Sequence, residues 1–257
     1  MTTLTRTRLC ASLLLVALVA TACGGDDKGS SAKKDATDTS APATTASQAT
    51  AETTNPADFT DKVDHPLFSL VGFKPQFFEG TERDPESGET VKTRGEKRLL
   101  DKTETVAGVK VAVVEHKEFE DGELVEATFD YFAQHRDGRV FYFGERVDDY
   151  EGGKVVGHEG QWLAGEDNAK AGIYLPVDLA VGQVFAQEQA PGKAEDTSTI
   201  VAVGAEVTTK AGKFTGCIRV KDYAPLTKTE EFKFYCPKVG IVREEQPNGT
   251  SDLVRLG

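Results

Sequence analysis

The sequence has few of the residues on which catalytic and metal sites most often depend. Its 257 residues include only four cysteines and four histidines. Nucleophile-elbow, zinc-protease, dinucleotide-binding and phosphate-loop motifs are absent from it. Cys217 and Cys236 lack the C-x-x-C spacing of a zinc site, and no histidine stands at a ligand interval from either. We therefore expect no enzymatic activity, no metal site and no cofactor.

Positive charge is also scarce in this chain. It has 30 lysines and arginines against 42 aspartates and glutamates, which gives a formal net charge of −12 at pH 7. A chain with this balance repels the phosphates of nucleic acids and the headgroups of anionic lipids. The composition therefore predicts a solvated acidic surface and argues against nucleic acid as a partner.

Long apolar runs are absent except near the start, where Leu9 to Ala20 form one stretch. About a dozen residues are too few to cross a hydrocarbon core, which needs roughly 20 helical residues. Arg6 and Arg8 precede the stretch, and small residues close it immediately before Cys23. This order is typical of a cleaved export signal, so residues 1–22 are predicted to be a signal peptide.

The residues Ala20-Thr21-Ala22-Cys23 resemble a bacterial lipobox. The resemblance implies cleavage before Cys23 and a lipid, including palmitate, on this residue. The lipid would anchor the protein to the outer face of the cell membrane, or in the periplasm if the host has two membranes. Ala20 also fits an ordinary A-x-A cleavage site, so simple secretion after Ala22 stays open as the alternative. The protein is expected to be exported in either case.

Residues 23–64 form a segment rich in Ser, Thr, Ala, Asp and Lys, with almost no large apolar side chain. Such a segment cannot bury enough apolar surface to offset the entropy lost on ordering. It is predicted to be a disordered linker with a reach of roughly 30 Å, by the scaling of a flexible coil. The membrane is then a partner only through the lipid anchor on Cys23.

Residues 65–257 are predicted to form a single β domain. Short stretches of alternating β-branched and aromatic residues recur there, separated by Gly, Pro and Asp at intervals of roughly 8 to 14 residues. Asp121-Gly122 and Asp137-Gly138 favour tight two-residue turns between neighbouring strands. The fold class is therefore all-β with minor helix, an antiparallel meander that forms a bent sheet, an open half-barrel or a sandwich. Three of its predicted strands are Val109 to Glu120, Glu123 to His135 and Arg139 to Val147.

Two-residue turns would fix which residues lie opposite one another in this meander. The predicted pairs are Phe132 with Phe143, Gln134 with Phe141, Asp130 with Glu145, and Val113 with Asp130. One face then carries Phe132, Phe141 and Phe143 beside the carboxylates of Asp130 and Glu145. These five residues are the candidate ligand-binding face.

This face can be interpreted in two ways, because apolar residues on both faces of a sheet require cover on both sides. A sandwich would bury the face in a filled core, whereas a strongly bent sheet would make it the lining of an apolar cavity. In the first case Asp130 and Glu145 only fix local geometry. In the second they orient a ligand headgroup or a cation, and burial together with like charge raises at least one of their pKa values.

The four cysteines are consistent with export. Cys10 leaves with the signal and Cys23 takes the lipid, so Cys217 and Cys236 remain to form a disulfide in an oxidising compartment. That pairing places Val220 opposite Lys233 on neighbouring strands. The only tryptophan, Trp162, is interpreted as a core anchor.

The run Glu123–Glu145, ELVEATFDYFAQHRDGRVFYFGE, is similar to a signature of an uncharacterised family of exported bacterial β-rich proteins, many of them predicted lipoproteins. The resemblance covers nearly the whole domain, although Cys236 and Lys238 depart from the residues expected there. It implies a β-rich fold and no known activity. Further matching segments are Gly160–Gly165, Gly172 with Pro176, Gln187-Glu188, Pro191–Asp196 and Tyr235–Gly240.

The resulting hypothesis is a cell-envelope lipoprotein whose domain binds a lipid, another apolar small molecule or an envelope protein, without catalysis. The alternative is a structural or assembly-scaffold lipoprotein with a filled core. A cavity of several hundred Å³ lined by Phe132, Phe141 and Phe143 would favour the binding role, since ligand pockets are typically roughly 300 to 1,000 Å³. A packed interior would favour the scaffold.

Overall fold

A computed structural model describes residues 55–84 and 87–257 of the chain. The predicted signal peptide, Cys23 and most of the predicted linker lie outside these residues. The described part is all-β, as predicted, and its only helical element is a short 3-10 turn at Pro56–Asp58. Fifteen strands form one large antiparallel sheet that does not close into a barrel, and two short strands form a separate small sheet. Within the described ranges we find no helix that is long and apolar enough to span a membrane.

Two meanders of long strands make up most of the large sheet. Within each meander every strand pairs with the next one along the chain. The last strand of the second meander returns to pair with the first strand of the first one, which joins the two. The strands of the first meander are β4 (Gln76–Arg83), β5 (Thr90–Val106), β6 (Val109–Glu120), β7 (Glu123–His135) and β8 (Val140–Glu151). Those of the second are β13 (Thr197–Thr209), β14 (Gly212–Ala224), β15 (Thr229–Cys236), β16 (Gly240–Gln246) and β17 (Gly249–Leu256).

Short strands complete the structure at its edges. One of them pairs with the end of β7, three pair with β8 and one pairs with β13. The remaining two form the small separate sheet. The short strands are β1 (Phe59–Thr60), β2 (Asp64–His65), β3 (Phe68–Ser69), β9 (Lys154–Gly157), β10 (Trp162–Leu163), β11 (Gly172–Leu175) and β12 (Val184–Ala186).

The two edges of the large sheet approach each other without forming a continuous ladder. An isolated bridge joins Lys170 to Gln189, and a Cβ atom added to Gly172 would lie 1.9 Å from the carbonyl oxygen of Gln187. Only glycine permits so close an approach of the two backbones. The sheet therefore bends far enough to surround a central space, while a seam remains between its edges.

The hairpin between β6 and β7 has the predicted two-residue turn, Asp121-Gly122, with φ of 48° and 92°. Both values are positive, as a type I′ turn requires. The hairpin between β7 and β8 is different. His135 N–H donates to the carbonyl of Arg139, and of the intervening residues only Gly138 has a positive φ. The predicted two-residue turn at Asp137-Gly138 is therefore wrong, because the connection is longer.

The longer turn shifts the pairing of β7 with β8 by one residue. Phe132 lies opposite Tyr142 instead of Phe143, and Gln134 lies opposite Val140 instead of Phe141. A bulge at Gly144, whose φ is 111°, then shifts the pairing back. A second bulge in the hairpin of β6 and β7 places Val114 opposite Asp130, where Val113 was predicted. The predicted pair of Asp130 with Glu145 is confirmed.

The β7–β8 region is buried on both faces, as its apolar pattern predicted. The residues on each face, however, differ from those predicted. Phe141 and Phe143 face away from Phe132, because the shifted pairing moves them to the outer face of the sheet. There the ring of Phe59 packs edge-on against both, with ring centres 5.3 Å apart in each case. The segment around Phe59 thus covers the outer face. Residues 55–64, which were assigned to the linker, belong to the folded domain for this reason.

The predicted disulfide between Cys217 and Cys236 is present, and both cysteines are fully buried. It links β14 to β15 in a register that places Val220 opposite Lys233, as expected.

Trp162 is buried and packs edge-on against Tyr142, which agrees with its interpretation as a core anchor.

Candidate functional site

The space inside the bent sheet is a cavity of about 690 Å³. Residues from both meanders line it, so the sheet must curve around it. Its lining includes the ends of the hairpins at Glu120 and at Pro247-Asn248, which mark its mouth. Deeper lining residues come from the middle of the strands, such as Phe78 of β4 and Phe132 of β7.

Aromatic side chains form the floor of the cavity. The rings of Phe132 and Tyr142 stack with their centres 5.1 Å apart, and Tyr174 lies against both. Phe68 closes this group from below, with its centre 4.9 Å from that of Phe132. The floor is therefore rigid and apolar, apart from the tyrosine hydroxyls.

One side of the cavity, formed by β6, β7 and β8, carries acidic side chains in directly opposed pairs. Glu118 lies opposite Glu126 near the mouth, and Asp130 lies opposite Glu145 near the floor. We call these four residues the acidic wall. The hydroxyl of Tyr142 donates a 2.7 Å hydrogen bond to Asp130, and that of Thr128 donates one of 2.8 Å to Glu126.

The facing side of the cavity contains lysines, but each is paired with carboxylates. Lys97 on β5 lies 3.1 Å from Glu244 on β16. Lys233 on β15 lies 3.1 Å from Asp222 and 2.6 Å from Glu231. We call these five residues the salt-bridged wall. Because its charges are largely matched within the wall, its lysines do not neutralise the acidic wall by direct contact.

Three carboxylates of the acidic wall, those of Glu118, Asp130 and Glu145, hold protons more tightly than free carboxylates do. Burial raises the pKa of Asp130 to about 6, although the Tyr142 hydrogen bond and the charge of Lys97 oppose the change. Burial, together with the charges of Glu188 and Asp130, raises the pKa of Glu145 well above its ordinary value. At Glu118, whose side chain is half exposed and lies 3.5 Å from His116 Nδ1, partial desolvation and the charge of Glu126 raise the pKa. The predicted rise for the Asp130 and Glu145 pair agrees with these directions.

In the salt-bridged wall the pKa of a buried carboxylate is lowered instead of raised. Burial alone would raise the pKa of Glu244, but the charges of Lys97 and Lys233 outweigh it and lower the pKa to about 2. His116 lies beside this wall, and burial together with the charge of Lys97 lowers its pKa to about 3. His116 is therefore neutral at physiological pH and adds no positive charge to the cavity.

Two further carboxylates reach the cavity from the connection between β12 and β13. They belong to Glu188 and Asp196, and no described residue gives either side chain a hydrogen bond or an ion pair. Burial raises the pKa of Glu188 to about 8, with a contribution from the charge of Asp196. Burial likewise raises the pKa of Asp196 to about 6. Both lie in a region that resembled the exported β-rich family in sequence.

The predicted binding face is only partly assembled in this cavity. Asp130, Phe132 and Glu145 line it, whereas Phe141 and Phe143 lie on the outer face of the sheet. Sequence reasoning missed the lysines and carboxylates of the salt-bridged wall. Glu231 and Lys233 stand two residues apart on β15, but Arg243, Glu244 and Glu245 are consecutive on β16, so no clear alternation marked this wall in the sequence.

The lining does not offer a metal centre among the described residues, where no group of three or more His, Cys, Asp or Glu side chains converges as a metal ion requires. Its carboxylates are spread over several strands instead.

Comparison with known proteins gives one structural likeness. The chain is similar to the crystal structure of a candidate lipoprotein from Parabacteroides distasonis, with 15% sequence identity and a TM-score of 0.37. The likeness covers 72% of this chain and 95% of the other. No protein-family model matches the chain, and no curated protein does. A TM-score this low transfers neither residues nor a function, so the comparison ends at a likeness to a candidate bacterial lipoprotein.

Proposed function

We propose that this protein is an exported lipoprotein of the bacterial cell envelope and that its β domain is a non-catalytic module that binds a small molecule. The cavity of about 690 Å³ is the observation that carries the proposal. Its volume falls within the range of roughly 300 to 1,000 Å³ that is typical of ligand pockets. The alternative of a scaffold with a filled core is less consistent with a space of this size.

The residues that line the cavity favour a different class of ligand from the apolar one that the sequence predicted. An apolar groove lined by three phenylalanines would suit an acyl chain, but only Phe132 of the three lies in the cavity. Charged side chains instead surround an aromatic floor. Such a lining suits a molecule that combines polar or charged groups with an apolar body.

The disulfide supports the exported location. The Cys217–Cys236 bond is buried, and disulfides persist chiefly in oxidising compartments outside the cytoplasm. The lipid on Cys23 would then hold the domain at the membrane surface through the linker. Retention at the envelope would keep a captured small molecule close to the cell.

Native mass spectrometry of the full chain tests the binding role. We expect a co-purifying small molecule that is lost in the variant Thr93→Trp, because Thr93 lines the cavity and the larger side chain would fill it. The substitution breaks no side-chain hydrogen bond, since the hydroxyl of Thr93 has no partner in the described structure. Val203→Trp is the matched control, since Val203 is exposed outside the cavity. Absence of any bound molecule, or equal loss in both variants of unchanged fold, would contradict the binding role.

A further inference from the structure

Few interactions hold the seam between the two sheet edges closed. The edge strands β10, β11 and β12 have only two, four and three residues. Within the described ranges one backbone hydrogen bond crosses the seam, from Lys170 N–H to the Gln189 carbonyl at 3.0 Å. Gln189 Nε2 donates to the Ala171 carbonyl, and Lys193 forms an exposed ion pair with Asp167. Because exposed ion pairs contribute little, the seam is weaker than the ladders on either side of it.

One side of the seam is formed by a compact segment in the connection between β12 and β13. We call residues 188–195 the clasp. At its base Glu188 N–H donates to the carbonyl of Asp196, and within it an isolated bridge joins Ala190 to Ala194. Those two alanines are the fully buried side chains of the clasp. The clasp can therefore leave the seam as a unit, with its internal hydrogen bonds intact and only two methyl groups withdrawn from the core.

The inner side of the seam carries like charges. Glu188 of the clasp and Glu145 of β8 both line the cavity, and β8 pairs with β10 at Glu145, so the two belong to opposite sides of the seam. Burial and the charge of Glu188 raise the pKa of Glu145, and burial and the charge of Asp196 raise that of Glu188. Once ionised, these carboxylates repel one another, and separation of the two sides relieves both the repulsion and the burial.

We propose that the clasp is a side gate of the cavity, which moves away from the edge at Lys170 and opens the seam when the carboxylates on its two sides ionise. The inference goes beyond the proposed function, because it concerns a route into the cavity and holds for any ligand. This route is separate from the mouth at the ends of the hairpins. The few bonds across the seam set a low barrier to opening, whereas the bonds within the clasp preserve its shape.

The gate should be closed at low pH and open more often as pH rises. The pKa of Glu188 is raised from an ordinary 4.5 to about 8, so its contribution to the closed state is fully present below pH 4.5 and is lost as pH rises through about 8. Lys233 and the Tyr142 hydroxyl favour the ionised carboxylates in the closed state, and the acidic neighbours oppose them. The groups that face the pair are Glu126 and Asp130 on β7, Tyr142 on β8, Asp222 on β14, Glu231 and Lys233 on β15, and Asp196 beside the clasp.

Hydrogen exchange of the full chain at pH 5 and pH 8, corrected for the intrinsic rate at each pH, measures the opening. Lys170 N–H bonds across the seam, whereas Ala194 N–H bonds to Ala190 within the clasp. The protection of Lys170 should fall about tenfold or more over this range, because relief of a single pKa unit corresponds to a factor of ten. Ala194 should remain protected, since the clasp moves as a unit.

Trp162 provides an independent measurement of access. It is the only tryptophan of the chain, and it is buried on β10 beside Tyr142, which lines the cavity. Quenching of its fluorescence by acrylamide should increase about twofold or more from pH 5 to pH 8. Glu188→Gln keeps the size of the side chain and should reduce the pH dependence of both measurements. Glu195→Gln removes the same charge from the same clasp outside the cavity lining, can still accept the hydrogen bond from Gly192, and should leave both unchanged.

The possible outcomes separate the gate from the proposed function. If Lys170 and Ala194 lose protection together, the segment unfolds locally and the gate is wrong. Equal behaviour of Glu188→Gln and Glu195→Gln, or quenching of Trp162 that does not change with pH, also overturns it. If the gate fails while mass spectrometry finds a molecule that Thr93→Trp displaces, the binding role stands. If the seam opens as expected but no bound molecule is found, only the binding role is wrong.

Discussion

Replacing Asp130 by asparagine should stabilise the folded protein at neutral pH and leave its stability near pH 4 almost unchanged. The substitution removes a carboxylate from the floor end of the acidic wall. Asparagine has nearly the same size and retains an oxygen that can accept the hydrogen bond from Tyr142. It differs chiefly in that it cannot ionise.

The size of the effect follows from the pKa of Asp130, which burial raises from an ordinary 3.8 to about 6. One pKa unit corresponds to about 1.4 kcal/mol, so the ionised side chain costs the folded state about 3 kcal/mol. A raised carboxylate pKa contributes stability that is fully present below pH 3.8 and is lost as pH rises through about 6. The variant should therefore gain about 1 to 3 kcal/mol above pH 6, reduced where Glu145 changes its own protonation.

Urea unfolding of both proteins between about pH 4 and pH 8 measures this gain. If the free energy of unfolding falls with urea concentration at the same slope in both proteins, their unfolded states are comparable. Asp137→Asn is a control of opposite sign. Burial opposes ionisation there too, but the hydrogen bonds from Arg139 outweigh it and lower the pKa of Asp137. That carboxylate stabilises the fold above its unfolded pKa, so its removal should lower stability at neutral pH. A gain for Asp130→Asn that is the same at pH 4 and pH 8, or no gain at either, would refute the reasoning.

Three further changes should have measurable effects. Cys23→Ser should move the protein from the membrane to the soluble fraction and remove its fatty-acid label, and unchanged fractionation would contradict lipidation. Cys217→Ser with Cys236→Ser should lower the free energy of unfolding by about 3 kcal/mol for a loop of this length, whereas ready thiol labelling of the native protein would contradict the bond. Gly172→Ala should destabilise the seam, because its Cβ would lie 1.9 Å from the Gln187 carbonyl oxygen, and hydrogen exchange at β11 and β12 should increase. Unaltered exchange there would show that the seam is not constrained.

The fold class and the opposed pair of Asp130 and Glu145 could be predicted from the sequence, but the pair was obtained through two compensating errors. The β7–β8 turn is longer than Asp137-Gly138 indicates, and the bulge at Gly144 corrects the offset. Turn dipeptides determine pairing only where no bulge intervenes. Between the turn and the bulge the pairing is shifted, which is why Phe141 and Phe143 were assigned to the wrong face.

The salt-bridged wall could not be predicted by the same reasoning. Lys97 and Glu244 are separated by 147 residues and meet only because the sheet bends around the cavity. Pattern and turn chemistry report on neighbouring strands, whereas the curvature depends on bulges and on close backbone approaches such as that at Gly172. The polar character of the cavity is therefore a property of the tertiary structure.

The pairing of β17 with β4 also determines when the cavity can exist during folding. Each meander is built from local hairpins, but this ladder joins Gly249 to Glu82 across most of the domain. Contacts between residues so far apart in sequence form slowly, because a long loop must close before they yield any stabilisation. Both meanders can therefore be in place while the acidic and salt-bridged walls are still separate. Because the chain is synthesised from its N-terminus, the cavity is complete only after the last strand, β17, has been made.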